Sequence, residues 1–494
     1  MRVQQYSGVL AAFVALAQAA PVDDLPLVQS NQLRRVLTRS ALLGISNSLQ
    51  EFAYDTPERN RIFGGPGHNA TVNYLYDTIA ALGDYYTVEF QPFVQLYFDG
   101  TATFSVDGTD QGGGILTYSA AGNVEATLVP VDNLGCDAAD YPEAVEGNIA
   151  FISRGTCEFG LKSALAGAAG AAAAVIYNNA PGALAGTLGV PPRPEGPYVP
   201  TVGISQENAT TLLATINSGT TVTGVVSVDA VTENRTTYNV VAQTTGGDQD
   251  NVIMVGAHTD SVAEGPGIND NGSGTSGILE VAIQLAKFGV NNAVRFGWWS
   301  AEEEGLLGAD YYVTNLEQAE RDKIRLYLNF DMIASPNFIY GIYDGDGSSF
   351  NVSGPPGSAE AEKLFEEYFT KDAGLNFTAT DFDGRSDYGP FLDAGIACGG
   401  LFTGAEGLKT EEEAKLFGGQ AGVAYDVNYH AEGDTVKNLN VGAFIQNTKA
   451  IGHAVATYAR SFASLPAKAP AKAKRGVSAP TKRRARNQKV QFDI

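Results

Sequence analysis

The chain has 494 residues, a formal net charge of -23 and a hydrophobic fraction of 44%. That length supplies two or three domains with full apolar cores. The acid excess repels phosphate backbones and anionic lipid, which argues against nucleic-acid binding and membrane-surface roles.

In chain order, the first element is an export signal. Residues 1–24, "MRVQQYSGVLAAFVALAQAAPVDD", carry one early arginine, an apolar stretch from Val9 to Ala17 and the small-residue pattern Ala17-Gln18-Ala19. The apolar part is far shorter than the roughly 20 residues that span a bilayer, so residues 1–19 read as a cleaved signal peptide. No later segment reaches spanning length. The mature protein is expected to be secreted, with an acidic vacuole as the second destination. Residues 20–92 read as a propeptide-like start and the first part of the main domain, including the helix "NATVNYLYDTIAAL" and a strand.

Between residues 93 and 230 the texture changes. Short β-rich runs ("ATLVPV", "NIAFISRG", "AAVIYNN", "VPTVGIS", "GVVSVD") are separated by Gly, Asn and Pro, around one Ala-rich helix, "KSALAGAAGAAA". This reads as a small β-rich module inserted into the main domain, without a catalytic cluster. The glycines of "DQGGGIL" lack the lysine of a phosphate loop and mark a turn. Cys136 and Cys157 flank one compact segment and could bridge in an oxidising compartment, whereas Cys398, in "GIACGGLF", reads as a buried thiol.

From residue 231 to 462 strands and helices alternate: "TTYNVVAQT", "NVIMVGAH", a helix from Gly272 to Phe288, "AVRFGWWS", a helix after Gly305, "IRLYLNFDMI", "FIYGIYDG", a helix from Ser358 to Lys371, "GIACGGLF", and a closing helix from Val441 to Phe462. Near-continuous apolar strands followed by amphipathic helices predict an α/β fold, a mixed, mostly parallel central sheet flanked by helices. Residues 463–494 are rich in Lys, Arg, Ala and Pro, lack apolar periodicity, and read as a disordered basic tail with the dibasic pairs Lys474-Arg475 and Lys482-Arg483-Arg484. Sequons at Asn69, Asn208, Asn234, Asn351 and Asn376 are candidate glycosylation sites. A further sequon at Asn271 is expected to stay bare.

In an open α/β sheet ligands gather at the carboxyl ends of strands. Here those ends are followed by His258 and Asp260, then Asp270; by Glu302, Glu303 and Glu304; by Asp331; and "YDVNYHAEGDT" adds His430. Each has an ordinary reading alone: a histidine after a strand is often just hydrogen-bonded, and acids favour a helix N-terminus. His68 and His453 lack acidic companions and read as structural. Convergence argues for more, because carboxylates buried together need a cation, and imidazole with carboxylate suits zinc where calcium would take oxygen alone.

The motifs "GAHTDSV…GPGINDNGSG", "WWSAEEEGLLG", "YLNFDMIASPN", "GRSDYGPF" and "NYHAEGDT" resemble those of the secreted co-catalytic di-zinc leucine aminopeptidases, which include fungal enzymes and aminopeptidase Y. The inserted segment, with "NLGCDAADYP" and "GNIAFISRGTCEFGLKSALAGAAGAAAAVIYNN", resembles their protease-associated domain. The resemblance runs from about Gln50 to Phe462 and implies the zinc exopeptidase fold with two Zn(2+) per chain. It implies that His258, Asp270 and Asp331 hold one zinc and that Asp270, Glu303 and His430 hold the other. Asp260 would orient His258, Glu302 would act as general base, Tyr429 would stabilise the oxyanion, and Arg385 would help fix the substrate terminus; Glu304 receives no role. Some bacterial members carry cysteines around the last histidine motif, and this chain has none there. The expected partners are peptides with a free N-terminus, with no nucleic acid and no membrane span, and the chain is expected to be a monomer. Two rival readings are a single-zinc glutaminyl cyclase-like acyltransferase and a non-catalytic receptor-like binding protein. Without a G-x-S-x-G elbow, serine catalysis has little support.

Overall fold

A computed structural model of the protein describes residues 25–467. The expected signal peptide, and the part of the expected tail carrying the dibasic pairs, lie outside the described residues. Two compact units are present: one joins the residues up to Phe93 with those from Thr237 onward, and the other is Val94–Thr236.

The larger unit is built on a mixed sheet, in the order Thr378–Thr380, Gly341–Tyr343, Cys398–Phe402, Ile324–Phe330, Asp248–His258, Asn292–Trp299 and, through Val240 to Gln243, the last part of strand Thr223–Thr244. The four strands from Cys398–Phe402 to Asn292–Trp299 are mutually parallel, and antiparallel pairings flank them. Val252, Ile253, Met254 and Val255 are all fully buried, which explains why the central strand reads as one apolar run rather than an alternation. Ile253, Val255 and Ala257 join the large core that also holds residues of helices Arg39–Tyr54, Gly272–Leu285 and Val441–Arg460. Met254 points the other way, into a cluster with Trp299, Tyr327 and Phe391. From Asp248–His258 the chain passes first to one neighbouring strand and later to the opposite one. That reversal opens a crevice at the carboxyl ends of the central strands.

Three expectations shift. The residues after position 25, read as a propeptide-like start, pack into the core: Val28, Leu33, Leu42 and Leu49 are fully buried. Their helices, Ser30–Val36 and Arg39–Tyr54, place Leu42, Ile45 and Leu49 on one face by the helical period, and the Thr38 hydroxyl caps the second helix by accepting the Ala41 N–H. The folded body also runs past residue 463, since Leu465 is buried and the Pro466 carbonyl accepts from Arg325. The helix expected to reach Lys371 is α-helical over Ser358–Glu367 and continues as a π-helical stretch, Tyr368–Ala373, which Gly374 ends at φ 64°.

In the smaller unit Gly122–Pro130, Ile149–Ser153, Ala173–Tyr177 and Thr201–Ile204 form a parallel run. Alternation divides them between two apolar clusters, with Ala150, Ile152 and Ile176 in one and Ile149, Phe151 and Val175 in the other. The Ala-rich segment does not stay helical throughout. The helix Phe159–Ala168 ends ahead of Gly170, at φ 78°, and the remaining alanines lead into strand Ala173–Tyr177. Helix Gln206–Asn217 completes the unit, and Cys136 and Cys157 are joined as a disulfide. Among the described residues no helix is long and apolar enough to cross a membrane.

Candidate metal centre and active site

His258 ends the central strand and is buried, as are Asp260 and Asp270 in the loop that follows. Helix Gly272–Leu285 starts directly after that loop, with the Asn271 side chain accepting the Gly274 N–H as its cap. Asn271 also donates to the Phe330 carbonyl and is fully buried, so its sequon is closed to a glycan. Glu302 and Glu303 follow strand Asn292–Trp299, and Asp331 follows Ile324–Phe330. Ala301, Met332 and His430 all adopt left-handed backbone, at φ 56°, 45° and 53°. Each such residue costs about 1–3 kcal/mol, and here the three stand next to or within the cluster they aim.

The five expected ligands converge as two groups that share Asp270: His258, Asp270 and Asp331, and Asp270, Glu303 and His430. His258 Nε2 lies 3.2 Å from Asp270 Oδ1 and 3.4 Å from Asp331 Oδ1. His430 Nε2 lies 3.2 Å from Asp270 Oδ2 and 3.1 Å from Glu303 Oε2. Despite these short separations, His430 Nε2, Glu303 Oε1 and Asp331 Oδ1 are buried with no hydrogen-bond partner. Donors held at about 2.0–2.2 Å around one tetrahedral zinc stand about 3.2–3.6 Å from each other, so this spacing without hydrogen-bond alignment fits atoms arranged around an ion. The donor set is also zinc's, imidazole with carboxylate.

Packed this closely, the imidazoles and carboxylates also shift one another's proton affinities. Burial pulls His258 down, but Asp331, Glu302, Asp260 and Asp270 outweigh it and push the imidazole well above its ordinary value. His430 rises to about 10 for the same reason, against its own burial. Burial and the charge of Asp270 lift Glu303 to about 7. Asp270 goes the other way: burial opposes its charge, yet the two imidazoles hold it well below the carboxylate range. Glu302, buried at 3.9 Å from His258 Nε2, is pushed well above the carboxylate range by burial, with Asp387 and Asp331 adding to the effect.

Asp260 stands 3.6 Å from His258 Nδ1, too far for the expected hydrogen bond. Its oxygens accept instead from the Glu302 and Glu303 N–H groups, so one carboxylate faces the imidazole and fixes the backbone of both glutamates. Tyr429 stacks on the His430 ring at 3.8 Å, and Arg385 donates to its hydroxyl at 3.2 Å while pairing with Glu406 at 2.8 Å. Glu304 is exposed. His68 and His453 lie outside the cluster, bonded to the Thr259 and Ser30 hydroxyls, and burial lowers both to about 4.

Sequence reasoning missed several supports. Arg61 is fully buried and spends its side-chain nitrogens on the carbonyls of Thr259, Pro266 and Gly267, holding the ligand loop. Asp434 accepts the N–H groups of Asn269 and Asp270 and so sets the shared carboxylate. Asp387, buried with neither oxygen hydrogen-bonded, is pushed well above the carboxylate range by burial. Nothing in the local sequence around Arg61 distinguishes it, whereas Asp387 and Asp434 lie in "GRSDYGPF" and "NYHAEGDT", two of the motifs that carry the family resemblance.

Residues 239–455 match Peptidase family M28 and residues 124–212 match the PA domain. The chain is 51% identical to leucine aminopeptidase 2 of Arthroderma otae, covering 94% of each chain. It is 52% identical to probable leucine aminopeptidase 2 of Aspergillus fumigatus, over 92% of this chain and 90% of the relative. The chain belongs to peptidase family M28. Among solved structures it resembles an aminopeptidase from Aneurinibacillus sp. strain AM-1, with a TM-score of 0.62 and 27% identity over 87% of this chain and 96% of the other. A zinc aminopeptidase from Bacillus subtilis shares the fold, with a TM-score of 0.57 and 24% identity over 89% of this chain and 97% of that one. Family membership makes this M28 chain a peptidase, and its imidazole and carboxylate cluster makes it a metal-dependent one.

Proposed function

We propose that the chain is a secreted aminopeptidase that holds two zinc ions and releases leucine and other apolar residues from the free N-termini of peptides. The observation that carries this reading is the sharing of Asp270 between two three-residue donor groups. His258, Asp270 and Asp331 would hold one zinc, and Asp270, Glu303 and His430 the other. Zinc bound there supplies a water acidified toward neutrality.

The protein's own groups do the rest. Glu302 is assigned as the general base: it takes a proton from the attacking water and returns it to the leaving amine, and its burial suits it to hold that proton in between. Arg385 donates to the Tyr429 oxygen, which leaves the phenolic hydrogen free for the developing oxyanion. A substrate's α-ammonium would be received by the acids of the cleft, which an internal peptide cannot engage in the same way. The cleft has a volume of about 80 Å³, and Met332, Tyr343 and Phe402 give it an apolar wall for the first side chain.

Export rests on the signal-like residues 1–19, and glycosylation on Asn69, Asn208, Asn234, Asn351 and Asn376. Asn234, Asn351 and Asn376 are exposed, which suits a glycan. The Asn69 and Asn208 amides donate to the Gly64 and Gln111 carbonyls, bonds that a glycan would disturb. The test is hydrolysis of a panel of amino-acid amides by the purified protein, with zinc counted by native mass spectrometry. Two zinc ions, loss of leucine-amide hydrolysis with a chelator and its return with zinc are expected. One ion per chain with cyclisation of N-terminal glutamine would overturn the proposal.

A further inference from the structure

Glu406 stands at the far end of a line of contacts that leads to the Tyr429 hydroxyl. Its carboxylate engages both prongs of the Arg385 guanidinium: Nη1 donates to Oε1 at 2.8 Å and Nη2 to Oε2 at 3.3 Å. The same Nη2 donates to the Tyr429 oxygen at 3.2 Å. Arg385 and Tyr429 border the cleft together with Glu302 and Asp331, and so does Ala405, directly before Glu406. Among the described residues the guanidinium has no hydrogen-bond partner besides Glu406 and Tyr429.

The backbone decides which member of this line is the anchor. The Glu406 segment is tied on both sides, since the Ala405 carbonyl accepts the Asp426 N–H and the Gly407 carbonyl accepts the Tyr425 N–H, each at 2.9 Å. Tyr429 follows in that same partner segment, and its own N–H returns to the Asp426 carbonyl. Asp426 is buried and accepts from the Asn269 and Asn438 side chains. One frame therefore holds Glu406 and Tyr429, while the Arg385 guanidinium bridges them from the end of a long side chain. An ion pair in which both side chains are 55% exposed adds little to stability. Its forked geometry matters for direction instead. A hydroxyl that accepts from a fixed guanidinium has one hydrogen left to give, and the place of the guanidinium sets where that hydrogen can point. We propose that Glu406 is a positioning residue for the oxyanion step, holding Arg385 so that the Tyr429 hydroxyl aims its hydrogen at the substrate carbonyl oxygen. This inference rests on the aminopeptidase reading above and adds to it a residue that acts through two others.

The test measures kcat and KM of the zinc-loaded full chain on leucine amide for Glu406→Gln, for Tyr429→Phe and for the two combined. Glu406→Gln is expected to lose about tenfold in kcat with KM held within about twofold, because the oxyanion exists only in the transition state and a misaimed donor forfeits part of its effect. In the Tyr429→Phe background the same substitution is expected to change kcat by less than about twofold, since no hydroxyl remains to be aimed. Glu406→Gln is also expected to keep its zinc in native mass spectrometry and its melting temperature. An equal loss in both backgrounds, a loss entering through KM alone, or no loss at all overturns the proposal. A Tyr429→Phe variant with full kcat removes the oxyanion role and this inference with it. If the unaltered enzyme does not hydrolyse leucine amide, the aminopeptidase reading itself fails, so the failures are distinct.

Discussion

Glu302 and Glu303 are adjacent in sequence, yet they face different tasks because successive side chains leave the backbone in different directions. Glu303 meets His430 at 3.1 Å, while Glu302 stands near His258 at 3.9 Å. Glu302→Gln is therefore expected to keep its zinc, read by native mass spectrometry, and to lose about a hundred- to ten-thousandfold in kcat. Asp270→Ala is expected to lose zinc itself, since one carboxylate serves both groups. At this scale the convergence of His258, Asp270, Glu303, Asp331 and His430 was legible, because acids and imidazoles at the ends of apolar strands have few structural reasons to cluster. Arg61, Asp434 and Glu406 were not, because each acts through main-chain or single side-chain contacts that leave no periodic trace in the sequence.

Strands were the most legible elements, since burial on both faces writes an apolar run directly into the sequence, as in Asp248–His258. Helix Arg39–Tyr54 was missed for a different reason. Its apolar spacing is regular, but it follows a signal-like segment and lacks polar chemistry, so nothing in the sequence marks where the propeptide-like start gives way to the main domain. Packing shows its role: Leu42 and Leu49 are fully buried in the core that also holds Ile278 and Ile451. Leu49→Ala is expected to lower stability by about 2–5 kcal/mol in urea denaturation. A loss below 0.5 kcal/mol would mean that the helix is an accessory rather than a wall of the core. The helix Phe159–Ala168 carries the complementary lesson, as composition favoured a longer helix and a glycine in left-handed backbone ended it.

Several groups of the larger unit, in the donor cluster and away from it, have raised proton affinities, and these set how stability depends on pH. Glu303, Glu280 and Glu362 each rise to about 7, all by burial first, and His430 rises to about 10 through its acids despite burial. A folded state that binds more protons than the unfolded chain loses stability as pH rises through those values. His68 and His453, lowered to about 4, act only below about pH 6.5 and leave this window untouched. The chelated protein is thus expected to melt progressively lower from pH 6.5 to 8 in a calorimetric scan, above which Lys162, lowered to about 8 by burial, works in the opposite direction. Zinc should restore the most stability at the alkaline end, because it takes the place of protons on His430 and Glu303. A melting temperature that rises with pH in chelator would contradict the assignment of these groups.

The ends of the described chain are tied to each other: Ser30 bonds His453 across 423 positions, and Arg460 reaches the Val28 carbonyl across 432. His430 also joins the cluster from far along the chain, 172 positions after His258. Synthesis must therefore pass residue 460 before the main core can seal. Until then the growing chain lacks both the closing helix of its core and one donor of the cluster, and so cannot yet cut a peptide.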